Sequence, residues 1–315
     1  MTMATGPGPV LPSGRQIELT WGDQWAVVTE VGGGVRSYTA GTRAVLDGFG
    51  AGEMCRGGRG QVLAPWPNRL SQGRYRFDGV EHQLPLEEPA LGNAIHGLVR
   101  WANWEVLEQA SDRVVVGHRQ HPRPGYPFTL DLAVEYRLAA DGLTVTTTAR
   151  NVGDRTLPFG LGFHPYLSVG TDHVDQAILC VPARSRLETD DEHGHGDAPM
   201  VAVAESALDF TLPRPIGDLR LDTCFGDLLR GTDDRARVVL ASPDDGATVT
   251  LWMDASFSFV MVFTGDTLAP ERRRRGLAVE PMTCAPQALR TGLGLQVLAP
   301  GAATVAAWGI EPGTS

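Results

Sequence analysis

The chain has 315 residues, of which 42% are hydrophobic, and a formal net charge of −10 at pH 7. This apolar content supports a sizeable core and excludes a disordered protein, whereas the negative charge argues against nucleic acid or an anionic membrane surface as the main partner. No apolar run is long enough to span a bilayer. The composition indicates a folded, acidic, soluble protein.

The positively charged side chains are all arginine, because the sequence contains no lysine. Schiff-base catalysis, pyridoxal-phosphate attachment and a P-loop are therefore excluded, since each needs a lysine amine. The sequence also has four widely spaced cysteines, without a C-x-x-C pair, at Cys55, Cys180, Cys224 and Cys284. This spacing predicts reduced thiols in a cytoplasmic protein.

The predicted elements are strands. In chain order, β-rich runs occur at Ala26–Val31, Arg113–Gly117, Phe128–Leu138, Leu143–Ala149, Arg237–Ala241, Thr248–Met253, Phe257–Phe263, Leu293–Leu298 and Ala302–Trp308. Apolar and polar side chains alternate from Phe128 to Leu138, and the turn sequence Asp141-Gly142 follows, which predicts an antiparallel hairpin with the next run. The Asp244-Asp245-Gly246 turn predicts a second hairpin.

Helical windows are rare because 38 glycines and 22 prolines interrupt the chain. We predict an all-β fold, a large antiparallel β-sandwich. Residues 1–14 are small, polar and proline-rich, and we interpret them as a flexible lead-in. The remaining residues, 15–315, are expected to form one domain, since no linker with a shift in composition divides them.

Two titratable residues directly precede prolines, His164 before Pro165 and Glu280 before Pro281. A residue before proline is sterically biased towards extended backbone, which predicts a histidine and a carboxylate at strand ends. Glycines beside His164 favour close approach of a ligand, and a glutamate in an apolar strand is rare unless it is paired or functional. The two residues are candidates for a proton donor and a proton acceptor.

Other polar residues could bind a polyhydroxylated ligand. His96 lies in a glycine-flanked turn, and Arg69 could donate to two adjacent hydroxyls through its guanidinium fork. Asn68 and Asp222 could supply further polar contacts. Trp66, Trp101 and Trp252 are candidate stacking faces for a pyranose, although core packing is the alternative for each of them.

The chain resembles the aldose 1-epimerase (galactose mutarotase) family in five segments that occur in the family's order. These segments are Asn68-Arg69-Leu-x-x-Gly73-x-Tyr75-x-Phe77-x-Gly79, Ile95-His96-Gly97, Phe163-His164-Pro165-Tyr166, Leu221-Asp222-x-x-Phe225 and Val279-Glu280-Pro281. The resemblance implies a β-supersandwich and interconversion of the α and β anomers of a free aldohexose. It also implies that Glu280 is the general base, His164 the general acid, and His96, Arg69 and Asp222 substrate-binding residues.

From reference pKa values of about 4.3 for glutamate and 6.5 for histidine, we expect an ionised Glu280 and a His164 that donates when protonated. The two groups are expected to face a shared cavity from opposite sides of a bound pyranose. The reaction needs no metal, nucleotide or redox cofactor, and the sequence contains no motif for one.

Three alternatives remain open from the sequence. The arginine run Arg272–Arg275 could meet a 6-phospho or 6-sulfo sugar, although such a run is more often a solvated loop. The protein could instead bind carbohydrate without catalysis. A metal could bind His193 and His195, or His96, His164 and Glu280 together, although one H-x-H pair is a weak metal signal.

Overall fold

The computed structural model describes residues 10–188 and 199–313, which form 27 strands numbered in chain order. Strands β1–β9 are Gln16–Trp21, Gln24–Thr29, Val35–Ala40, Arg43–Ala44, Val62–Leu63, Arg69–Ser71, Arg74–Phe77, Val80–Gln83 and Asn93–Ile95. Strands β10–β18 are Glu105–Gln109, Arg113–Gln120, Leu130–Ala139, Gly142–Asn151, Leu157–Phe159, Gly162–Phe163, Tyr166–Leu167, Ile178–Cys180 and Ala183–Leu187. Strands β19–β27 are Met200–Ala202, Arg214–Pro215, Asp222–Leu228, Ala236–Ala241, Thr248–Met253, Phe259–Phe263, Leu277–Met282, Gln296–Leu298 and Ala303–Gly313.

The largest sheet has nine antiparallel strands in the order β10-β11-β12-β13-β27-β23-β22-β17-β20. Both predicted hairpins lie in it and are confirmed: β12 pairs with β13 around Asp141-Gly142, and β22 pairs with β23. Along β12 the apolar even-numbered side chains are buried and the intervening ones are half-exposed, which is the burial pattern of a strand with one face on a core.

The second large sheet carries the candidate site. Its strands lie in the order β19-β18-β21-β24-β25-β15-β5, and β16 also pairs with β25. One hydrophobic cluster takes side chains from both large sheets, for example Val134 and Leu251 from the nine-stranded sheet and Val260 and Val279 from the second. Because the two sheets share this core, the predicted all-β antiparallel sandwich is confirmed.

Smaller sheets complete the fold. β1–β4 form a four-stranded sheet, and two-stranded sheets pair β14 with β26, β6 with β9, and β7 with β8. Helical structure in the described residues is limited to a 3-10 turn at Val174–Gln176 and helix α1 at Ala288–Thr291. None of the described helices has the length and apolar character needed to cross a bilayer. All four cysteines are free, as predicted.

Some predicted boundaries differ from the structure. The run Leu293–Leu298 contributes only β26, because Gly294 takes a positive φ of 74° and delays the strand. β27 extends to Gly313, since it pairs on both sides, with β13 and with β23. Residues 1–9 of the predicted lead-in lie outside the described residues. Within the described part of that segment, Ser13 is buried and its carbonyl accepts a hydrogen bond from the Val31 N–H.

Candidate active site

The candidate acid and base lie opposite each other on one sheet. β15 pairs with β25 at Gly162↔Met282, and β16 continues the same register four residues further on. His164 lies between these two pairings and therefore falls opposite Glu280. Opposed residues of antiparallel strands project from the same face, so the register brings the two side chains together. His164 directly follows β15, whereas Glu280 lies inside β25 and not, as expected, at a strand end.

The two groups are in direct contact. His164 Nε2 lies 3.3 Å from Glu280 Oε1, and the side chains are only 6% and 3% exposed. Glu280 Oε2 has no hydrogen-bond partner among the described residues. The expectation that the two groups face each other across a bound sugar was wrong, because no ring fits within a 3.3 Å gap. A ligand must meet both groups from the same side.

The surroundings of the pair shift both pKa values away from their reference values. Burial raises the pKa of the Glu280 carboxyl well above its ordinary value, and the nearby Asp222 carboxylate adds to the rise. Burial, followed by the positive charge of Arg59, lowers the pKa of His164 to about 3. A low-dielectric site disfavours both charged forms. Both shifts favour the uncharged forms, so a proton shared by the pair is favoured on the carboxyl rather than on the imidazole.

Asn68 and His96 fix each other's position beside this pair. The Asn68 N–H donates to His96 Nδ1 at 3.2 Å, and the His96 N–H donates to the Asn68 carbonyl at 3.0 Å. Burial lowers the pKa of His96 well below its ordinary value, so its ring is neutral. Since Nδ1 accepts a hydrogen bond, we assign the ring proton to Nε2, which makes His96 a hydrogen-bond donor. Its ring centroid lies 5.3 Å from that of His164.

Arg69 is held by two carboxylates. Its Nε lies 2.9 Å from Glu88 Oε2, and its Nη1 lies 3.2 Å from Asp222 Oδ2. A further N–H, on Nη2, donates to Glu88 Oε1 at 3.4 Å. A guanidinium has five N–H donors, so two remain for a ligand. The ion pairs fix the plane of the fork and thereby the direction of those donors.

These residues line one cavity of about 270 Å³, which brings together Glu280, His164, His96, Asn68, Arg69 and Asp222. Sequence reasoning missed Glu87, Glu88, Arg100 and Tyr166, which line the same cavity. Glu87 Oε1 lies 3.7 Å from Arg100 Nη2. The adjacent pair Glu87-Glu88 was a detectable signal, but it lies in an irregular segment where no periodicity indicates which way a side chain points.

The tryptophans are not brought to this cavity. Trp66 is 2% exposed and packs in the main hydrophobic cluster, outside the residues that line the cavity. The guanidinium of Arg235 lies 3.8 Å from the ring centroid of Trp252, while Trp101 is 43% exposed and lies near Arg100. The stacking role predicted for these residues has no support from their positions.

Three potential metal ligands do converge. The ligand atoms of His96, His164 and Glu280 lie within 4.8 Å of one another. The donor set does not suit a metal, however, because a neutral imidazole has one free lone pair and that of His96 accepts the Asn68 N–H. His193 and His195, the other candidate ligands, lie outside the described residues.

Gly58 makes room for the His164 ring. A Cβ at this position would lie 2.5 Å from His164 Cδ2, and the backbone φ is +72°. We expect Gly58→Ala to displace the imidazole and to lower the activity proposed below at least tenfold. Gly170→Ala is a matched control, since Gly170 has φ +84° with open space around its Cβ. Both variants should lose about 1–2 kcal/mol of stability from the left-handed backbone. Only Gly58→Ala should also lose activity. Equal activity in the two variants would refute the role of Gly58 in making room for the His164 ring.

The fold and the cavity define an antiparallel β-sandwich protein with a buried polar site, and comparison with known proteins defines the family. The model of the aldose 1-epimerase family matches residues 15–309. The chain belongs to the aldose 1-epimerase family. It is 34% identical over 290 residues to the uncharacterised protein YihR of Escherichia coli K12, a match that covers 92% of this chain and 90% of YihR. The likeness to YphB of the same organism, also 34%, covers only 33% of this chain and 35% of YphB.

Solved structures share the fold at low sequence identity. The GalM/aldose epimerase homologue from C. elegans superposes with a TM-score of 0.85 at 17% identity, over 95% of this chain and 99% of that one. Galactose 1-epimerase from Lactobacillus acidophilus NCFM superposes with a TM-score of 0.78 at 20% identity, over 95% of this chain and 94% of that one. These matches bear out the predicted mutarotase-like sandwich.

Proposed function

We propose that this protein is an aldose 1-epimerase that interconverts the α and β anomers of a neutral free aldohexose. The observation that carries the proposal is the buried contact between His164 and Glu280, two groups that both line a polar cavity. Anomer exchange needs one proton accepted and one donated in each direction. A pair that holds one proton meets that need without a net change of charge.

In the proposed reaction, a sugar hydroxyl that donates to the Glu280 carboxyl stabilises its ionised form, and the shared proton moves to His164. Glu280 accepts the O1 proton while the C1–O5 bond breaks and C1=O1 forms. His164 Nε2 gives its proton to O5. Rotation about C1–C2 and reversal of these transfers close the ring as the other anomer and restore the pair. His96, as a donor from Nε2, stabilises negative charge as it develops on a sugar oxygen.

The charges around the cavity favour a neutral sugar. Three carboxylates, Glu87, Glu88 and Asp222, accompany the two guanidinium groups of Arg69 and Arg100, so each arginine already has an acidic partner. A phosphate or sulfonate would enter a cavity with no surplus of positive charge.

The arginine run gives the anionic-sugar alternative little support. Arg272 pairs with Asp47 and Glu53, and Arg274 pairs with Asp175 and Asp266. No residue of the run lines the cavity formed by the described residues.

Exchange spectroscopy by NMR between the α and β anomers tests the proposal. We expect acceleration above the buffer rate with glucose or galactose, and none with the 6-phospho or 6-sulfo forms at equal concentration. Acceleration only with the charged forms would overturn the assignment of a neutral substrate. Sugar binding by titration without any acceleration would overturn the enzymatic proposal and support a binding protein.

Arg69 is expected to act mainly on substrate affinity. Arg69→Lys keeps the charge but removes the fork, so it loses hydrogen bonds to substrate hydroxyls at a site already fixed by Glu88 and Asp222. Because a charge-assisted hydrogen bond contributes about 1.5–3 kcal/mol, KM should rise by about tenfold or more while kcat changes less. Steady-state polarimetry separates the two parameters, and an unchanged KM would contradict a binding role.

A further inference from the structure

Tyr166 links a buried arginine to the candidate acid. The His164 and Tyr166 rings are stacked, with centroids 5.1 Å apart and planes 9° apart. The Arg59 guanidinium carbon lies 4.2 Å from the centroid of the same tyrosine ring. The tyrosine hydroxyl donates to the Gly57 carbonyl at 2.8 Å, which fixes the ring. The imidazole is therefore packed against a ring that also contacts the Arg59 guanidinium.

Arg59 itself is held rigidly. It is 4% exposed, its Nη2 lies 2.9 Å from Asp47 Oδ2, and its Nε donates to the Asp47 carbonyl at 3.2 Å. The Asp47 N–H in turn donates to the Tyr166 carbonyl at 2.8 Å. The other carboxylate oxygen of Asp47 lies 3.4 Å from Arg272 Nη1. Arg272, the first member of the arginine run, therefore supports the Asp47 carboxylate.

Arg59 does not line the cavity, so it does not meet a bound sugar directly. Its effect must pass through Tyr166 or through its charge. We propose that Arg59 is a positioning residue for the reaction proposed above, which holds the His164 imidazole in place through Tyr166. The positive charge of the same guanidinium also disfavours a second proton on that ring. The role of Arg59 in catalysis rests on the proposed function, whereas its effect on the titration of His164 does not.

A second proton on the pair would abolish activity, since the carboxyl and the imidazole would then both be donors. After burial, Arg59 is the largest cause of the lowered pKa of His164. The other charged or titratable groups facing the ring are Glu280 on β25, His96 after β9, Arg69 on β6, and Arg100 and Tyr166. Arg69 and Arg100 also oppose the proton, but more weakly than Arg59.

Replacement of Arg59 by methionine tests the charge. We expect the acid limb of the pH profile of kcat/KM to move upward by about one pH unit, because a nearby positive charge in a dry site lowers a histidine pKa by an amount of that order. Arg56→Met is the matched control, since Arg56 is an exposed arginine in the same loop; its profile should coincide with that of the wild type. A uniform loss of activity at every pH, with the acid limb unmoved, would overturn the role of the charge and leave only positioning.

Arg59→Lys tests the positioning role, and it keeps the proposal testable if the methionine variant does not fold. Lysine keeps the charge but has no planar face for Tyr166. We expect an acid limb close to that of the wild type, a severalfold lower kcat and an unchanged KM. Wild-type kcat in this variant would overturn the positioning role.

The titration of His164 is also measurable without turnover, by NMR of the imidazole nitrogens, with the resonances assigned by comparison with His164→Asn. The upward shift in Arg59→Met should appear there whether or not the protein exchanges anomers. If the wild type shows no anomer exchange while the shift is present, the proposed function fails and the electrostatic role of Arg59 stands. If exchange is present and the shift is absent, the electrostatic role of Arg59 fails while the proposed function stands.

Discussion

Replacement of Glu280 by glutamine is expected to lower kcat/KM for anomer exchange by about 10²–10⁴-fold, the usual contribution of one positioned acid–base group. The amide has nearly the same shape as the carboxyl, so packing on β25 and the fold should persist. It cannot accept the O1 proton, however. Exchange spectroscopy, after subtraction of the spontaneous rate in buffer, measures the loss. Near-normal exchange in a folded variant would refute the assignment of the base.

The same substitution should increase stability at neutral and higher pH. Because burial raises the folded pKa of Glu280, the folded state keeps a proton that the unfolded state releases, and wild-type stability falls as pH rises from about 4.5 towards the folded pKa. Each unit of that difference costs about 1.4 kcal/mol once pH exceeds both values. Glutamine has no proton to release and avoids the cost.

Urea unfolding at several pH values checks this expectation. The stability of Glu280→Gln minus that of the wild type should grow between pH 5 and pH 8. Glu271→Gln, at an exposed glutamate, is the control and should match the wild type in both stability and activity. A difference that stays constant with pH would show that Glu280 ionises in the folded protein at its ordinary pKa.

Replacement of His164 by asparagine should also lower kcat/KM by about 10²–10⁴-fold, since the imidazole in contact with Glu280 is the group that gives O5 its proton in the proposed reaction. KM should change less than kcat, because Arg69 and His96 remain to hold the sugar. His121→Asn, at an exposed histidine, is the control and should retain wild-type rates.

The pH profile of the wild type gives a separate test of His164. Because its folded pKa is lowered to about 3, kcat/KM should stay nearly constant as pH falls from 7 to 5. At high pH kcat/KM should fall as the pair loses its single proton. The acid and alkaline limbs of the profile therefore belong to the coupled pair rather than to either residue. A limb centred near 6.5 would show instead that His164 titrates as an ordinary histidine, against the one-proton pair.

The fold was largely predictable because alternating burial acts over a few neighbouring residues. The alternation from Leu130 to Leu138 and the Asp141-Gly142 turn are both local features of the sequence. The structure forms the predicted hairpin there, with Leu138 paired opposite Leu143. The short strands around the site were harder. β15 and β16 have two residues each, and their existence depends on pairing with β25 rather than on any pattern of their own.

The candidate site was predicted in its principal residues but not in its arrangement. His96, Arg69 and Asp222 line the same cavity as the acid–base pair, while Trp66 is in the core. An apolar aromatic residue carries no local signal that separates a ligand face from core packing. The acidic partners Glu87 and Glu88 were missed for a related reason, since only the fold turns their segment towards the cavity.

The sequence alone determined the residue types that can exchange protons, the extended backbone before Pro165 and Pro281, and the strand pattern of an antiparallel sandwich. The backbone and the strand pattern follow from sterics and periodicity within a short stretch of chain. The tertiary structure decided that His164 and Glu280 are adjacent and not on opposite sides of a ligand, since sheet register joins segments that are distant in the chain. It also decided the direction in which the pKa of each group shifts. A pKa depends on burial and on charges such as that of Arg59, and the assembled fold alone brings these to the site.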